Sequence, residues 1–293
     1  MRKIKRDIFF LRKKLLEFNV KNYYSYLNND KVLLKYYDLE NNWGDKVNPY
    51  LFEKLTGEKV ISSNSIFNFL NKTKILGVGS LIVGDLSNSV IWGSGVIAEQ
   101  IKLEIKPKEI LALRGQYSLK KIQEVGGNCE IFGDPVLLFP DFFSNKNVEK
   151  KYKYGIIPHF KDKTSVGIQK IAQLQNPEIK IIDIQSSVEG FVIDVLSCEN
   201  ILSSSLHGLI LADTYGIPTC RIVLSNKLEG GDFKFYDYYS GVGIKTMETV
   251  LINDDISNLK KILTSCSQKD LNFNNKALKN SLIDYLNDNN KVK

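Results

Sequence analysis

The sequence predicts an α/β protein built from two Rossmann-like domains facing a cleft. Three observations carry that expectation. From about residue 31, short apolar runs of strand length alternate with longer segments of helical periodicity, the signature of βαβ units and a largely parallel sheet. The alternation breaks at residues 141–153, where Asp-Phe-Phe-Ser-Asn-Lys-Asn-Val-Glu-Lys-Lys-Tyr-Lys becomes polar and aperiodic, and then resumes as a second series. Several apolar runs end in glycine or a glycine-containing turn, which suits strands handing over to ligand-binding loops.

In the first series, Val32–Tyr37 reads as a strand, Asn41–Asp45 as a turn, and the following segment as a helix through Leu55 stopped by Gly57. Val60-Ile61, Lys74–Gly79, Val90–Trp92 and Ile110–Leu113 read as further strands. Gln116–Val125 is a helix stopped by Gly126-Gly127, and Glu130–Phe132 is a short strand before Gly133-Asp134-Pro135. In the second series, Tyr154–Ile157 is a strand ending at Pro158-His159, followed by a helix over Val166–Leu174. Lys180–Ile184 is a strand, Val188–Ser197 a helix, Asn200–Leu202 a strand, Leu206–Tyr215 a helix and Thr219–Leu224 a strand. Two helices close the chain, over 254–265 and 275–287. The resulting division is a segment 1–30, a first domain 31–145 and a second domain 150–293.

Composition narrows the function classes. With 43% hydrophobic and 25% charged residues among 293, the chain reads as an ordinary globular protein, and no apolar run approaches the roughly 18 residues of a membrane span. The net charge of +7 belongs to one end. Residues 1–35 hold ten Lys/Arg against three acids, and the rest balances at thirty of each. That confinement argues against a nucleic-acid partner. Within residues 1–20, Ile4, Ile8, Leu11, Leu15 and Phe18 mark one face of a basic amphipathic helix, which either touches a membrane surface or docks on the main domain. Only four consecutive apolar residues precede Arg12, too few for a signal-peptide core, so the expected location is the cytoplasm, with the inner face of the plasma membrane as the contact. Cys129, Cys198, Cys220 and Cys266 form no CxxC pair and read as buried thiols in a reducing compartment.

The chemistry-bearing residues cluster at strand ends. The chain has two histidines. His207 follows Ser203-Ser204-Ser205 where an apolar run hands over to a helix, and a helix N-terminus favours anions. His159 ends the first strand of the second series, and Arg114 ends a strand of the first, where its planar fork suits a carboxylate or phosphate. Gly77–Gly84 does not fit GxGxxG, and nothing matches GxxxxGK[ST], which excludes a P-loop ATPase. The stretch Gly230–Gly243, with Lys234, Asp237 and Tyr238, reads as an aromatic loop, either a sugar-stacking surface or an inter-domain brace.

Together, Asn42-Trp-Gly-Asp45, Gly77–Ser80, Trp92–Gly95, Leu113-Arg114, Gly133-Asp-Pro135, Tyr154–His159, Ser203–Gly208 and Phe233–Tyr239 resemble the polysaccharide pyruvyl transferase family, over about Asn41 to Gly243. The resemblance implies a GT-B-like glycosyltransferase architecture and transfer of pyruvate from phosphoenolpyruvate to a sugar as a cyclic ketal, in surface polysaccharide biosynthesis. It implies no cofactor beyond that co-substrate and no metal. The acceptor it implies is a galactose- or mannose-type sugar, lipid- or nucleotide-linked. His207, His159 and Asp45 are the expected catalytic groups, although helix capping explains Asp45 equally well. Ser203, Ser204, Ser205, Gly208, Arg114 and Lys234 are expected to hold the donor. Asn42, Trp43, Gly79, Ser80, Asp237 and Tyr238 are expected to hold the acceptor. Some relatives carry Arg at the position of Ser205, so that role here is either vacant or moved to Arg114, Lys234 or Arg221. A nucleotide-sugar glycosyltransferase is the alternative that the same cleft would serve.

Overall fold

The structure, a computed structural model, describes residues 32–37, 40–63, 72–252 and 255–290. The amphipathic segment 1–30 lies outside them. Two five-stranded parallel sheets form the framework. The first contains β1 (Val32–Lys35), β2 (Val60–Ser62), β3 (Lys74–Leu76), β5 (Ser89–Trp92) and β7 (Glu109–Ala112), in the order β2-β1-β3-β5-β7. A two-stranded ladder, β4 (Gly84–Asp85) with β6 (Leu103–Ile105), stands beside it. The second sheet contains β8 (Tyr152–Ile157), β9 (Ile179–Ile181), β10 (Cys198–Ser203), β11 (Thr219–Val223) and β12 (Thr249–Leu251), in the order β12-β11-β10-β8-β9. Numbered within its own sheet, each follows the order 2-1-3-4-5. In that doubly wound arrangement the order of strand succession reverses between the first and third strands, which are parallel, leaving a crevice at their C-terminal ends. The two crevices lie at β1/β3 and β8/β10.

Helices α1 (Trp43–Thr56), α2 (Gln116–Gln123), α3 (Val166–Gln173), α4 (Val188–Leu196), α5 (Leu206–Thr214), α6 (Phe233–Gly241), α7 (Leu259–Leu263) and α8 (Asn275–Asn290) cover the sheets. Central strands are apolar on both faces because helices cover both. Every residue of β5 is buried, as is Gly155–Ile157 of β8. The β1–α1 connection ties the halves together. The Trp43 backbone N–H donates to Ile184 O at 2.9 Å and its indole Nε1 to Val188 O at 3.0 Å, while its ring packs on Phe139 and Phe191. Trp43, Val47 and Phe52 therefore share one apolar cluster with Phe191, Val195 and Leu209 of the second half. Helix α8 follows the second sheet in sequence yet packs on the first, where Leu278 is fully buried and its carbonyl accepts from Trp92 Nε1 at 2.9 Å.

Most elements lie within a few residues of their sequence-predicted positions. The largest difference is Phe233–Gly241, a helix where the glycines around it suggested a loop. Phe235, Tyr238, Tyr239 and Val242 recur at helical spacing and are buried, so packing decides the segment. Glu130–Phe132 contributes a single bridge, Leu113 with Phe132, instead of a strand. β12 and the β4–β6 ladder, short and partly exposed, carry too little periodicity to be read in advance. All four cysteines are free, and among the described residues no helix is long and apolar enough to cross a membrane.

Beneath the first sheet, Asp134 is fully buried. Its Oδ1 accepts from Val136 N at 3.0 Å and its Oδ2 has no partner. Burial pushes its pKa up to about 7 against the opposing pull of the Val136 N–H and Arg114. A carboxyl raised in the folded state stabilises fully below its unfolded pKa, and that contribution is lost as pH rises through 7. The span is on the order of 4 kcal/mol. Asp134→Asn is therefore expected to flatten the fall in denaturation midpoint between pH 4 and 7. An unchanged pH profile in urea melts would contradict this.

Candidate functional site

A cavity of about 430 Å³ opens where the C-terminal strand ends of both sheets face one another. Tyr37, Glu40, Asn42 and Asp45 reach it from the β1–α1 connection, and Gly79, Ser80, Leu81 and Val83 from the segment after β3. His159, Phe160 and Lys161 reach it from the turn after β8, and Ser205, Leu206 and His207 from the β10–α5 junction. Glu229 and Lys234 come from the segment after β11. Its walls thus come from both switch points, where α/β sheets of this order hold ligands.

The serine turn is locked from within. Ser203 Oγ donates to Ser205 O at 2.8 Å and accepts from Ser205 N at 3.0 Å. Ser204 Oγ accepts from His159 N at 2.7 Å, and Ser204 N donates to Ile157 O. Two serines are consequently spent joining the two histidine-bearing turns, and neither lines the cavity. Ser205 is the N-cap of α5 with extended backbone and no side-chain cap bond, so the first turn of a nine-residue helix faces the cavity. The His207 ring lies against the first turn of α1, where a Cβ on Gly44 would overlap it, and its Nε2 is buried without a partner. His159 Nδ1 accepts from Lys161 N at 3.3 Å, capping the short 3-10 turn Phe160–Asp162.

Burial, followed by the charge of Lys234, pushes the His207 pKa down to about 3. Burial and the charges of Lys234, Lys161 and Arg221 do the same to His159, also to about 3. Lys234 itself falls to about 8, chiefly through burial and then Arg114 and Arg221, with Glu229 pulling the other way. Burial first, and the cations around them second, thus displace both imidazoles from the near-neutral range that the sequence suggested. Glu40 and Asp45 from the first half, and Glu229 from the same segment as Lys234, line the same cavity. The charges of Glu229 and Asp45 join burial in raising the Tyr37 phenol. The cavity therefore brings lysines and imidazoles together with carboxylates, in a lining that also includes Leu81, Val83, Ile97 and Phe160.

Of the residues singled out by sequence, Asn42, Asp45, Gly79, Ser80, His159, Ser205, His207 and Lys234 meet in this cavity. Seven others lie behind its walls. Arg114 is fully buried. Its Nε donates to Asp237 Oδ2 at 2.9 Å, its Nη1 to Ser80 Oγ at 2.8 Å and its Nη2 to Val96 O at 2.7 Å, which leaves no nitrogen for a donor molecule. Asp237 also accepts from Ser118 N and Oγ, both at 2.7 Å, so it braces α2 to α6 and is out of reach of an acceptor sugar. Tyr238 is buried and donates to Asp213 Oδ2 at 3.3 Å. Trp43 is a core residue, Ser203 and Ser204 are turn locks, and Gly208 is pressed against Ser203 Oγ. Glu40, Lys161, Phe160 and Glu229 were not foreseen. Their only signal is position just past a strand's C-terminal end.

Arg221, the third proposed substitute for a cation at position 205, also points elsewhere. Its Nη2 pairs with Asp232 at 2.9 Å, and its guanidinium lies 4.0 Å from the Phe235 ring centre. Among the described residues, no group of three or more His, Cys, Asp or Glu is arranged to hold a metal ion.

Comparison with known proteins assigns the chain to a family. An uncharacterised protein of Acanthamoeba polyphaga mimivirus is 33% identical over 227 residues, covering 73% of this chain and 76% of its own. The succinoglycan biosynthesis protein ExoV of Rhizobium meliloti (strain 1021) is 24% identical over 210 residues, covering 69% of this chain and 62% of its own length. A functionally uncharacterised protein of Klebsiella pneumoniae aligns in structure with a TM-score of 0.41 and 13% identity, over 76% of this chain and 92% of its own. The model of the polysaccharide pyruvyl transferase family matches residues 8–226, three quarters of the sequence and both histidine-bearing turns. The chain belongs to the polysaccharide pyruvyl transferase family, enzymes of pyruvyl transfer in polysaccharide biosynthesis.

Proposed function

We propose that the cavity binds phosphoenolpyruvate against its cationic wall and transfers the pyruvate unit to a sugar hydroxyl pair as a cyclic ketal. The observation that carries this reading is the convergence of both histidines, Lys234 and the α5 N-terminus on one cavity, which Glu40, Asp45 and Glu229 also line. In this reading the two sheets act as the two halves of a GT-B-like cleft, donor on the second and acceptor on the first. Phosphoenolpyruvate carries about three negative charges, matched by a helix N-terminus and lysine.

The chemistry needs one proton delivered and two removed. Protonation of the methylene carbon turns it into a methyl group and leaves an oxocarbenium-like centre at C2. A sugar hydroxyl adds there and gives up its proton. The C2–O bond to phosphate then breaks, the leaving phosphate taking the surplus proton as hydrogen phosphate, and the second hydroxyl adds and loses its proton to close the ketal. His207 is assigned the general acid–base role, with His159 beside it. Burial, and after it the lysine charges, hold both imidazoles neutral, and the donor's negative charge opposes the second of these, shifting them toward the protonated form. Asp45 and Asn42, on the far wall with Gly79 and Ser80, accept from and orient the acceptor hydroxyls. The acceptor is a galactose- or mannose-type sugar, lipid- or nucleotide-linked, on a surface polysaccharide pathway at the cytoplasmic face of the membrane.

Phosphate release from phosphoenolpyruvate, measured against a panel of nucleotide- and lipid-linked sugars, tests the reaction. Thermal stabilisation by nucleotides and not by phosphoenolpyruvate would instead mean a nucleotide-sugar glycosyltransferase. The pH dependence of donor binding supplies a further check. Lys234 titrates near 8 when free, and pairing with an anion raises that value, so a proton is taken up on binding above pH 8. Affinity is therefore highest below pH 8. From pH 8 to 9 it is expected to weaken by up to about tenfold, and Lys234→Met should remove that slope. A slope unchanged in that variant, by calorimetry, would take Lys234 out of the donor site.

A further inference from the structure

A donor with three negative charges needs more than one cation, and the arginines nearest the wall are committed. Arg114 has each guanidinium nitrogen engaged, and Arg221, outside the cavity lining, pairs with Asp232 through Nη2 and stacks on Phe235, its buried Nε alone being without a partner. Ser205, at the mouth of α5, is uncharged. Among the described residues lining the cavity, the lysines are Lys234 and Lys161.

Lys161 is exposed but its backbone is not loosely held. Its N–H donates to His159 Nδ1 at 3.3 Å, the His159 N–H donates to Ser204 Oγ at 2.7 Å, and Asp162 N donates to His159 O at 2.7 Å. The turn carrying Lys161 is thereby clamped to the turn that starts α5. Its Nζ lies 5.9 Å from the centre of the Phe160 ring, which also lines the cavity and stacks on His159 at 4.4 Å. Its charge acts on both His159 and Lys234.

We propose that Lys161 is the second cation of the donor site, closing on the anion from the solvent side while Lys234 holds it from within. This rests on the reading of the cavity as a phosphoenolpyruvate site. A long lysine on a fixed turn suits that task, because the backbone sets where the ammonium ion can reach while the flexible stem lets donor and phosphate pass.

Calorimetric titration of the full chain with phosphoenolpyruvate, near pH 7 and at low salt, tests it. Lys161→Ala is expected to weaken binding about tenfold and Lys161→Glu about a hundredfold, while Lys161→Arg stays within roughly threefold. Lys163→Ala, on the same turn but paired with Asp183, should bind like the parent protein. If the parent binds and Lys161→Ala binds equally well while Lys234→Ala does not, Lys161 is no part of the site. If the parent itself does not bind phosphoenolpyruvate, the functional reading fails and the assignment falls with it.

Discussion

His207→Ala is expected to lower phosphate release from phosphoenolpyruvate by at least about a hundredfold, the usual lower bound for loss of a positioned general acid–base group. The parent's melting temperature should change little, because part of the ring faces the cavity and its buried Nε2 has no partner to lose. His207→Asn keeps a polar group of smaller size against Gly44 and controls for packing at the α1–α5 contact. If activity survives in both variants, proton transfer belongs to His159, whose ring shares the wall. The assignment is also separable from binding. Removing a neutral imidazole should leave donor affinity within a few fold, whereas loss of Lys234 should reduce it.

Arg114→Ala is expected to act in the opposite way, on stability first. The Arg114–Asp237 pair is fully buried, and removing one partner leaves an uncompensated carboxylate in the core. The cost of such a break is about 3–5 kcal/mol, a fall in melting temperature of about 10 °C for a chain of this size. Arg114→Met combined with Asp237→Asn removes both charges and should recover much of that loss. Had Arg114 been a donor ligand, as its place at a strand end suggested, its substitution would weaken phosphoenolpyruvate binding at nearly constant stability. Melting curves and donor titrations on the same variant decide between the two. A stable Arg114→Ala protein with weakened binding would refute the brace.

Arg114 shows where sequence reasoning stops. Its position after an apolar run correctly placed it at the C-terminal end of β7, but strand-end position does not say which way a long side chain turns. Asp237 and Ser118, more than a hundred residues apart in sequence, create the pocket that takes the guanidinium. The same holds for Tyr238, read as sugar-facing because it is aromatic beside glycines, and buried because Phe235 and Tyr239 share its helical face. Lys161 and Glu229 escaped notice for the converse reason. Single charges on exposed turns have no periodicity, and only the closure of two sheets gives them a common cavity.

The local pattern by itself determined the parallel α/β class, the order of its main strands and helices, and the two turns that carry His159 and His207. These follow from periodicity and from glycine and serine punctuation, which act within a few residues and are written in the chain. The tertiary structure decided which of the strand-end groups face outward together, that Ser203 and Ser204 are spent as locks, and that both imidazoles lie in a field of cations. Such properties arise from burial and from charges distant in sequence, and neither exists until the two sheets pack.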